Sequence, residues 1–296
     1  MIITRLNGGL GNQMFQYAAG KRLAVKRQVG LKMDVIGLGE NIANTTPRRY
    51  SLSVFSIAEN FATKAEIDSM KERGDSFFSL AKKKLGLKIG SFEGKTFIAE
   101  KHFQFDPEIL SLGNDVYLQG YWQSEKYFSD IKDIIRKDFT VKILPTAINQ
   151  KIINEIKIRN SASLHIRRGD YVSDKKTNQF HGICSLDYYA QGAKMIAEEK
   201  QDVHFFVFSD DINWAKENLK FNYPMTFVDI NDDEHSYEDM RLMSLCKHDI
   251  IANSCFSWWG AWLNQNPERI VIAPKSWFTD PNIDTIDLIP EKWIRI

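Results

Sequence analysis

The sequence predicts an α/β protein made of two Rossmann-like halves, each a parallel sheet covered by helices, and three observations carry that expectation. A strand, a glycine loop, a helix and a second strand follow one another over residues 2–35, a βαβ unit at the start of the chain. From residue 162 onward, short apolar runs alternate with stretches of helical period, the pattern of a parallel sheet buried on both faces. Polar residues stand at the ends of several of these runs, where open α/β sheets bind ligands. A chain of 296 residues has room for two medium domains, and Pro145 interrupts the pattern between the halves. The expected domains are therefore 1–145 and 146–296, facing each other across a cleft.

Ile2 to Leu6 alternate as a strand, and Asn7-Gly8-Gly9-Leu10-Gly11-Asn12 forms the loop after it. A helix is expected from Gln13 to about Gln28, with Phe15, Ala18, Ala19 and Leu23 on one face, Asn12 as its cap and Gly30 as its stop. Leu31 to Val35 completes the unit. The glycines let the backbone approach a ligand and the helix N-terminus attracts anions, although a tight strand-to-helix turn explains the same residues. From Gly37 to about Leu112 the pattern loosens, as suits a substrate-facing surface; Lys82-Lys83-Lys84 reads as a solvated face or a contact for anionic lipid. Val116 to Leu118 is a further strand, followed by Gly120-Tyr121-Trp122-Gln123 and a helix over 124–137. The two aromatics either stack on a sugar face or pack.

A helix over 146–158 opens the second half. Strands then fall near 162–166, 203–208, 226–229, 249–252 and 270–273, with helices near 186–199, 212–219, 237–246 and 256–264.

The charge balance removes whole classes of function. Lys and Arg number 39 against 38 Asp and Glu, a net charge of +1, so no broad positive field exists to grip a nucleic-acid backbone. Three cysteines, Cys184, Cys246 and Cys255, argue against a disulfide framework and for buried thiols in a reducing compartment. Cys246, His248 and Cys255 lack the second close-spaced pair of a metal site. The start MIITRLNGG has no basic-then-apolar signal pattern, and no uncharged apolar run approaches the roughly 18 residues a membrane span needs. A cytoplasmic protein with at most peripheral contact with the inner face of a membrane is expected.

The most informative stretch is His165 to Tyr171, HIRRGDY, at the carboxyl end of a buried apolar run. Adjacent Arg167 and Arg168 offer two planar forks of N–H donors, a geometry that suits the oxygens of a diphosphate. A solvated strand end with Asp170 as ion-pair partner is the plainer alternative. Three further signals fall at strand ends of the same half: Ser209-Asp210-Asp211, Tyr237-Glu238-Asp239, and Asn253-Ser254-Cys255-Phe256-Ser257 ahead of a tryptophan-rich helix. Each fits helix capping as well as ligand binding. The tripeptide Arg168-Gly169-Asp170 is no adhesion ligand, because it sits at a strand end inside this constellation.

GGLGNQMFQYA (8–18), HIRRGDY (165–171), FSDD with Trp214 (208–214) and NSCFSWWGAWLN (253–264) together resemble the bacterial α-1,2-fucosyltransferases of glycosyltransferase family 11. The resemblance runs nearly end to end and is loose only over about 40–115. It implies a GT-B architecture, GDP-fucose as the donor, inversion at the fucose anomeric carbon, and no metal or other cofactor, arginines neutralising the diphosphate in place of a cation. Its further implication is transfer to the 2-hydroxyl of a terminal β-galactose in an O-antigen or other surface glycan, free or lipid-linked. By the same resemblance Arg167 is the β-phosphate ligand, with Arg168 and Asp210 beside it. His165 and Asp239 are nucleoside contacts, and Asn253, Ser254 and Ser257 serve the diphosphate. Asn7, Gly8, Gly11 and Gln13 face fucose and acceptor, with Asn12 on the donor side. The catalytic base is assigned to Asp170, with Asp174 and His181 following on the same loop. The rivals are a transferase of other linkage or donor and a non-catalytic glycan- or nucleotide-binding module.

Overall fold

The computed structural model describes residues 1–39, 48–73 and 97–296. The chain forms two compact units, Met1–Lys142 with Ile286–Leu288 and Ile143–Thr285 with Ile289–Ile296. Each is built on an all-parallel sheet with helices, the composition expected of a GT-B chain.

In the first unit the sheet order is β2-β1-β4-β3, with β1 Ile2–Arg5, β2 Leu31–Asp34, β3 Phe97–Ala99 and β4 Val116–Gln119. Ile3 of β1 and Tyr117 of β4 are fully buried against Ile67 and Met70 of the helix Lys64–Arg73, an element the loose sequence pattern does not reveal. The first helix runs from Leu10 to Arg27, so it begins three residues before the expected start. Gly9 is its N-cap and makes no side-chain cap bond; Asn12 lies inside the first turn and caps nothing. It ends at Gln28, which takes the left-handed φ of 53° itself, ahead of Gly30. The expected helix over 124–137 is broken into 3₁₀ turns at Glu125–Tyr127 and Ser129–Ile131 before a helix at Lys132–Asp138. Ser124 starts the first turn by accepting the Lys126 N–H while donating its own proton to the Asp287 carbonyl at 2.6 Å.

The second unit has the strand order β10-β9-β8-β5-β6-β7, all parallel: β5 Asn160–Ile166, β6 Val203–Ser209, β7 Met225–Phe227, β8 His248–Ile250, β9 Val271–Ala273 and β10 Ile294–Arg295. Counted from β5, this is the 3-2-1-4-5-6 order of a doubly wound dinucleotide fold, whose direction reverses between β5 and β8. Ala162, Leu164 and Ile166 of β5 pack with Phe205 and Val207 of β6 and with Tyr189, Ala193 and Ile196 of the helix Leu186–Glu199. Helices at Ala147–Ile158, Ile212–Asn218, Ser236–Leu245 and Cys255–Leu263 lie within a residue or so of expectation. The last carries Trp258, Trp259 and Trp262 inward, so its apolar sequence is a core helix. Two short helices, Gly169–Ser173, which takes in the last three residues of HIRRGDY, and Lys175–His181, occupy a segment expected as loop.

No helix among the described residues is long and apolar enough to cross a membrane, and Lys82-Lys83-Lys84 lies outside them. Cys246 is buried as expected, but Cys184 and Cys255 are only half-buried, and none of the three is in a disulfide.

Beneath the sheet's switch point sits a wholly buried carboxyl, Asp249 of β8. It accepts from Ser163 Oγ at 2.6 Å and Asn264 Nδ2 at 2.8 Å. Burial pushes its pKa up to about 7 despite those two donors. A carboxyl whose folded pKa stands above an unfolded value of roughly 3.9 is favourable to folding when protonated, and stability falls as pH rises from the lower value to the higher. Urea unfolding of wild type and Asp249→Asn should therefore show the wild type losing about 2 kcal/mol relative to the variant between pH 5 and pH 8. A pH-independent gap would show that Asp249 is ionised throughout.

Candidate active site

The carboxyl ends of β5 and β8 are where a doubly wound sheet opens a crevice for ligands, and HIRRGDY leaves β5 at that point. Arg167 Nη1 pairs with Asp210 Oδ2 at 3.0 Å, and its guanidinium lies over the Tyr171 ring at 5.4 Å. Asp210 Oδ1 accepts the Arg168 backbone N–H at 2.7 Å, so one carboxylate beyond β6 fixes both the loop and the first arginine. Arg168 is held more tightly: its Nε donates to Asp211 at 3.2 Å and its guanidinium stacks on Trp214 at 3.8 Å. Asp211 also accepts the Trp214 N–H and so caps the helix Ile212–Asn218. Of Ser209-Asp210-Asp211, Asp211 thus caps the helix while Asp210 holds the arginine loop. A guanidinium presents five donors in a fixed plane, more than one carboxylate can use, and here both planes are set in advance.

His165 precedes the arginines on β5 and is 4% exposed. Burial and the adjacent Arg167 charge push its pKa down to about 3, so the imidazole is neutral at any working pH. Its Nδ1 is buried with no hydrogen-bond partner among the described residues, beside the Phe256 ring at 5.6 Å. A buried polar atom left without a partner is rare and costs of order 1–3 kcal/mol, which a ligand group at this position would recover. The Asp170 side chain lies outside the described structure. Asp174 is committed to capping Lys175–His181, accepting the N–H groups of Lys176 and Thr177 at 2.8 and 3.0 Å. His181 is stacked flat on Tyr171 at 4.6 Å.

The residues after β8 take different parts from those assigned by sequence. Asn253 is buried, and its Nδ2 donates to the carbonyls of His181, Gly182 and Trp277 while Oδ1 receives the Cys184 thiol. Its amide is used up in tying the 181–182 segment to the sheet, so it shapes the crevice without reaching a ligand. Ser254 is the N-cap of Cys255–Leu263, its Oγ accepting the Phe256 N–H at 3.3 Å. Ser257 Oγ donates back to the Ser254 carbonyl at 3.3 Å. A serine hydroxyl that accepts at a cap still has a proton to give, so Ser254 keeps its donor and Ser257 has spent it.

Asp239, in the first turn of Ser236–Leu245, accepts Asn231 Nδ2 at 2.7 Å. It does not cap its helix, whose N-terminal residue His235 makes no side-chain cap bond. Burial chiefly, with the negative charges of Glu238 and Asp229, pushes its pKa up to about 7 against the pull of Asn231.

The glycine loop of the first unit follows β1. Gly8 has φ +73°, and a Cβ there would stand 2.5 Å from Asn12 Nδ2. Gly11 lies inside the helix and is not among the positive-φ glycines, so the conformational demand falls on Gly8. Gln13 is wholly buried: its Nε2 donates to the carbonyls of Gly8 and Arg49 and its Oε1 accepts the Ser51 N–H. It therefore ties two loops together from behind and contacts no substrate. Gln16, which sequence reading passed over, is equally buried and grips Asn7 twice, through the backbone N–H at 2.9 Å and the side-chain oxygen at 3.2 Å. Asn12 receives Gln123 Nε2 at 2.9 Å from the segment after β4. That segment turns on Trp122, a buried non-glycine residue at φ +55°. Glu100 holds the turn, accepting the N–H groups of Tyr121 and Trp122 at 2.6 and 2.9 Å. Trp122 is thus a packing residue, and only Tyr121 of the aromatic pair is exposed.

Among the described residues no three His, Cys, Asp or Glu side chains gather as a metal site. The model of a family described as glycosyl transferase family 11 matches residues 78–296. An alpha-1,2-colitosyltransferase of Escherichia coli is 36% identical over 314 residues, spanning 100% of this chain and 99% of that protein. The O-antigen biosynthesis glycosyltransferase WbnK, also of Escherichia coli, is 35% identical over 303 residues, 98% of this chain and 99% of that one. Galactoside alpha-(1,2)-fucosyltransferase 1 of Gorilla gorilla gorilla is 23% identical over 171 residues, 55% of this chain and 47% of its own length.

Proposed function

This chain belongs to glycosyl transferase family 11, and on that premise we propose that it moves L-fucose from GDP-fucose to the 2-hydroxyl of a terminal β-galactose, in the assembly of an O-antigen or related surface glycan. The observation that carries the reading is the pair of guanidiniums at the β5–β8 switch point, each oriented by its own carboxylate. Inverting transfer breaks the bond between fucose C1 and the β-phosphate oxygen while the acceptor oxygen bonds to C1 from the opposite face. Negative charge grows on the departing GDP. Arg167 answers that charge, and Arg168, stacked on Trp214, braces the loop; donors fixed before the reaction need no reorganisation during it. The Ser254 hydroxyl adds a donor to the diphosphate. His165 and Asp239 face the nucleoside, the carboxylate accepting from guanine N1–H and N2–H. Asn12 and the loop at Asn7 and Gly8 serve fucose and acceptor. Asp170 takes the acceptor proton, because Asp174 is occupied as a helix cap.

The arginines make a cation unnecessary in this reading. Turnover is expected to persist within about twofold in excess EDTA; abolition by chelation with recovery on added Mn²⁺ or Mg²⁺ would remove the arginine mechanism. The donor is tested by offering GDP-fucose, GDP-mannose and GDP-colitose with a panel of galactosyl disaccharides, and reading products by mass and linkage. An α-1,2-fucosylated galactoside is expected. A second donor reading, colitose transfer, is favoured by the 36% identity to a colitosyltransferase, and preference for GDP-colitose would establish it.

A further inference from the structure

Asp239 is the end of a fixed chain of amides. Asn149, in the first turn of Ala147–Ile158, is buried and forms a reciprocal pair with Asn231: Asn149 Nδ2 donates to Asn231 Oδ1 at 2.8 Å and Asn231 Nδ2 returns to Asn149 Oδ1 at 3.1 Å. The second proton of Asn149 Nδ2 goes to Thr146 Oγ1 at 3.1 Å, the hydroxyl that also caps the helix. The second proton of Asn231 Nδ2 goes to Asp239 Oδ1 at 2.7 Å. Both amides therefore have all their hydrogens placed, and because a carboxylate only accepts, the direction of every bond from Thr146 to Asp239 is determined. One carboxylate oxygen of Asp239 is thus anchored through the amide pair.

We propose that the Asn149–Asn231 pair is a positioning clamp that aims Asp239 and so sets the selectivity of the nucleotide site for a purine edge carrying two adjacent N–H donors. The inference rests on the nucleotide reading above. Guanine presents such an edge and adenine does not. A carboxylate free to rotate would serve either base through water; one held by its Oδ1 accepts only a donor pair that arrives along a fixed line. The Asn231 hydrogen bond also favours the charged form of Asp239. Glu238 beside it and Asp229, itself paired with Lys216 at 2.8 Å, oppose that charge, as does burial. Arg241 and His235 act on Glu238, and the buried residues of the two helices packed on this one, Ala147–Ile158 and Cys255–Leu263, carry no charge. Asn231 supplies the one hydrogen bond that lowers the Asp239 pKa.

The test is calorimetry of GDP, IDP and ADP binding to the full chain from pH 5.5 to 8.5, for wild type, Asp239→Asn, Asn231→Ala and Asn231→Asp, each checked for fold by circular dichroism. IDP lacks the 2-amino donor. Asn231→Ala is expected to weaken GDP at least about fivefold, to shrink the GDP-over-ADP preference by a similar factor, and to move the pH midpoint of GDP binding upward. Asn231→Asp keeps size and shape, turns a donor into an opposing charge, and should weaken GDP at least about tenfold at pH 8, less at pH 5.5. A merely structural role would change overall affinity without moving selectivity or the pH midpoint. If Asp239→Asn leaves GDP affinity and selectivity intact, the nucleotide assignment itself fails. If Asp239→Asn weakens GDP but both Asn231 variants bind GDP within twofold of wild type with an unshifted midpoint, the clamp alone is overturned. Should Asn231→Ala misfold, the isosteric Asn231→Asp decides between these outcomes.

Discussion

Replacing Arg167 with alanine is expected to lower turnover at least about a hundredfold, the usual cost of removing one preorganised donor at a developing charge. The structure gives a reason to expect more. Asp210 would stay in place through its bond to the Arg168 N–H, so the variant loses a positive fork and exposes an unneutralised carboxylate where GDP gathers charge. The Arg167→Ala/Asp210→Ala pair should accordingly lose less than the product of the two single effects, since neighbours sharing an ion pair are not additive. Arg167→Lys should rescue poorly, because an ammonium can neutralise Asp210 or meet the phosphate but cannot hold both in one plane. Rates at saturating donor, with GDP affinity measured separately, check all three. An alanine variant that retains more than half the wild-type rate would end the diphosphate assignment.

The second large effect is expected at Gly8. An alanine there takes a left-handed φ that costs an ordinary residue roughly 1–2 kcal/mol, and its Cβ enters the space of the Asn12 side chain, 2.5 Å from Nδ2 and 3.1 Å from Cβ. Asn12 must swing away from Gln123, and the Gly8 carbonyl must pull on Gln13. Turnover should fall at least about tenfold while GDP affinity stays within about threefold, roughly 0.65 kcal/mol, if, as proposed, the nucleotide contacts belong to the other unit. Loss of GDP binding by a Gly8→Ala chain that is still folded would exchange the roles assigned to the two units.

How far the sequence could be read depended on how local the signal was. Five of the second unit's strands are apolar runs bounded by turn residues and its longer helices carry a clear period, so these are legible in the sequence pattern; β10, two residues long, and the short helix Gly169–Ser173 are not. The helix Lys175–His181 was missed although Asp174, followed by two accepted N–H groups, is an ordinary cap signal; its apolar face is too short to show a period. The cap at Asn12 was misplaced because glycine serves as an N-cap without any side-chain mark. Gln13 is expected on the acceptor side and Gln16 has no expected role, yet the two fall three apart on the first turns of a largely buried helix, and that spacing is the available clue to buried amides. Trp122 at φ +55° left no clue, since its strain is held by Glu100, a residue distant in sequence. Nor does anything in Asn231-Asp232-Asp233 single out the asparagine; its role exists only because Ala147–Ile158 packs beside it.

The close approach of Gly169 to Asp210 also bears on how this motif is inherited. A Cβ at 169 would meet Asp210 Oδ2 at 2.5 Å. A larger residue at 169 is therefore admissible only after position 210 shrinks, and shrinking 210 first removes the carboxylate that pairs with Arg167 and accepts the Arg168 N–H. Either order of substitution passes through a chain with an impaired motif. The two positions should drift as a single unit among descendants of this gene, and relatives that have lost the glycine are expected to have replaced the acid as well.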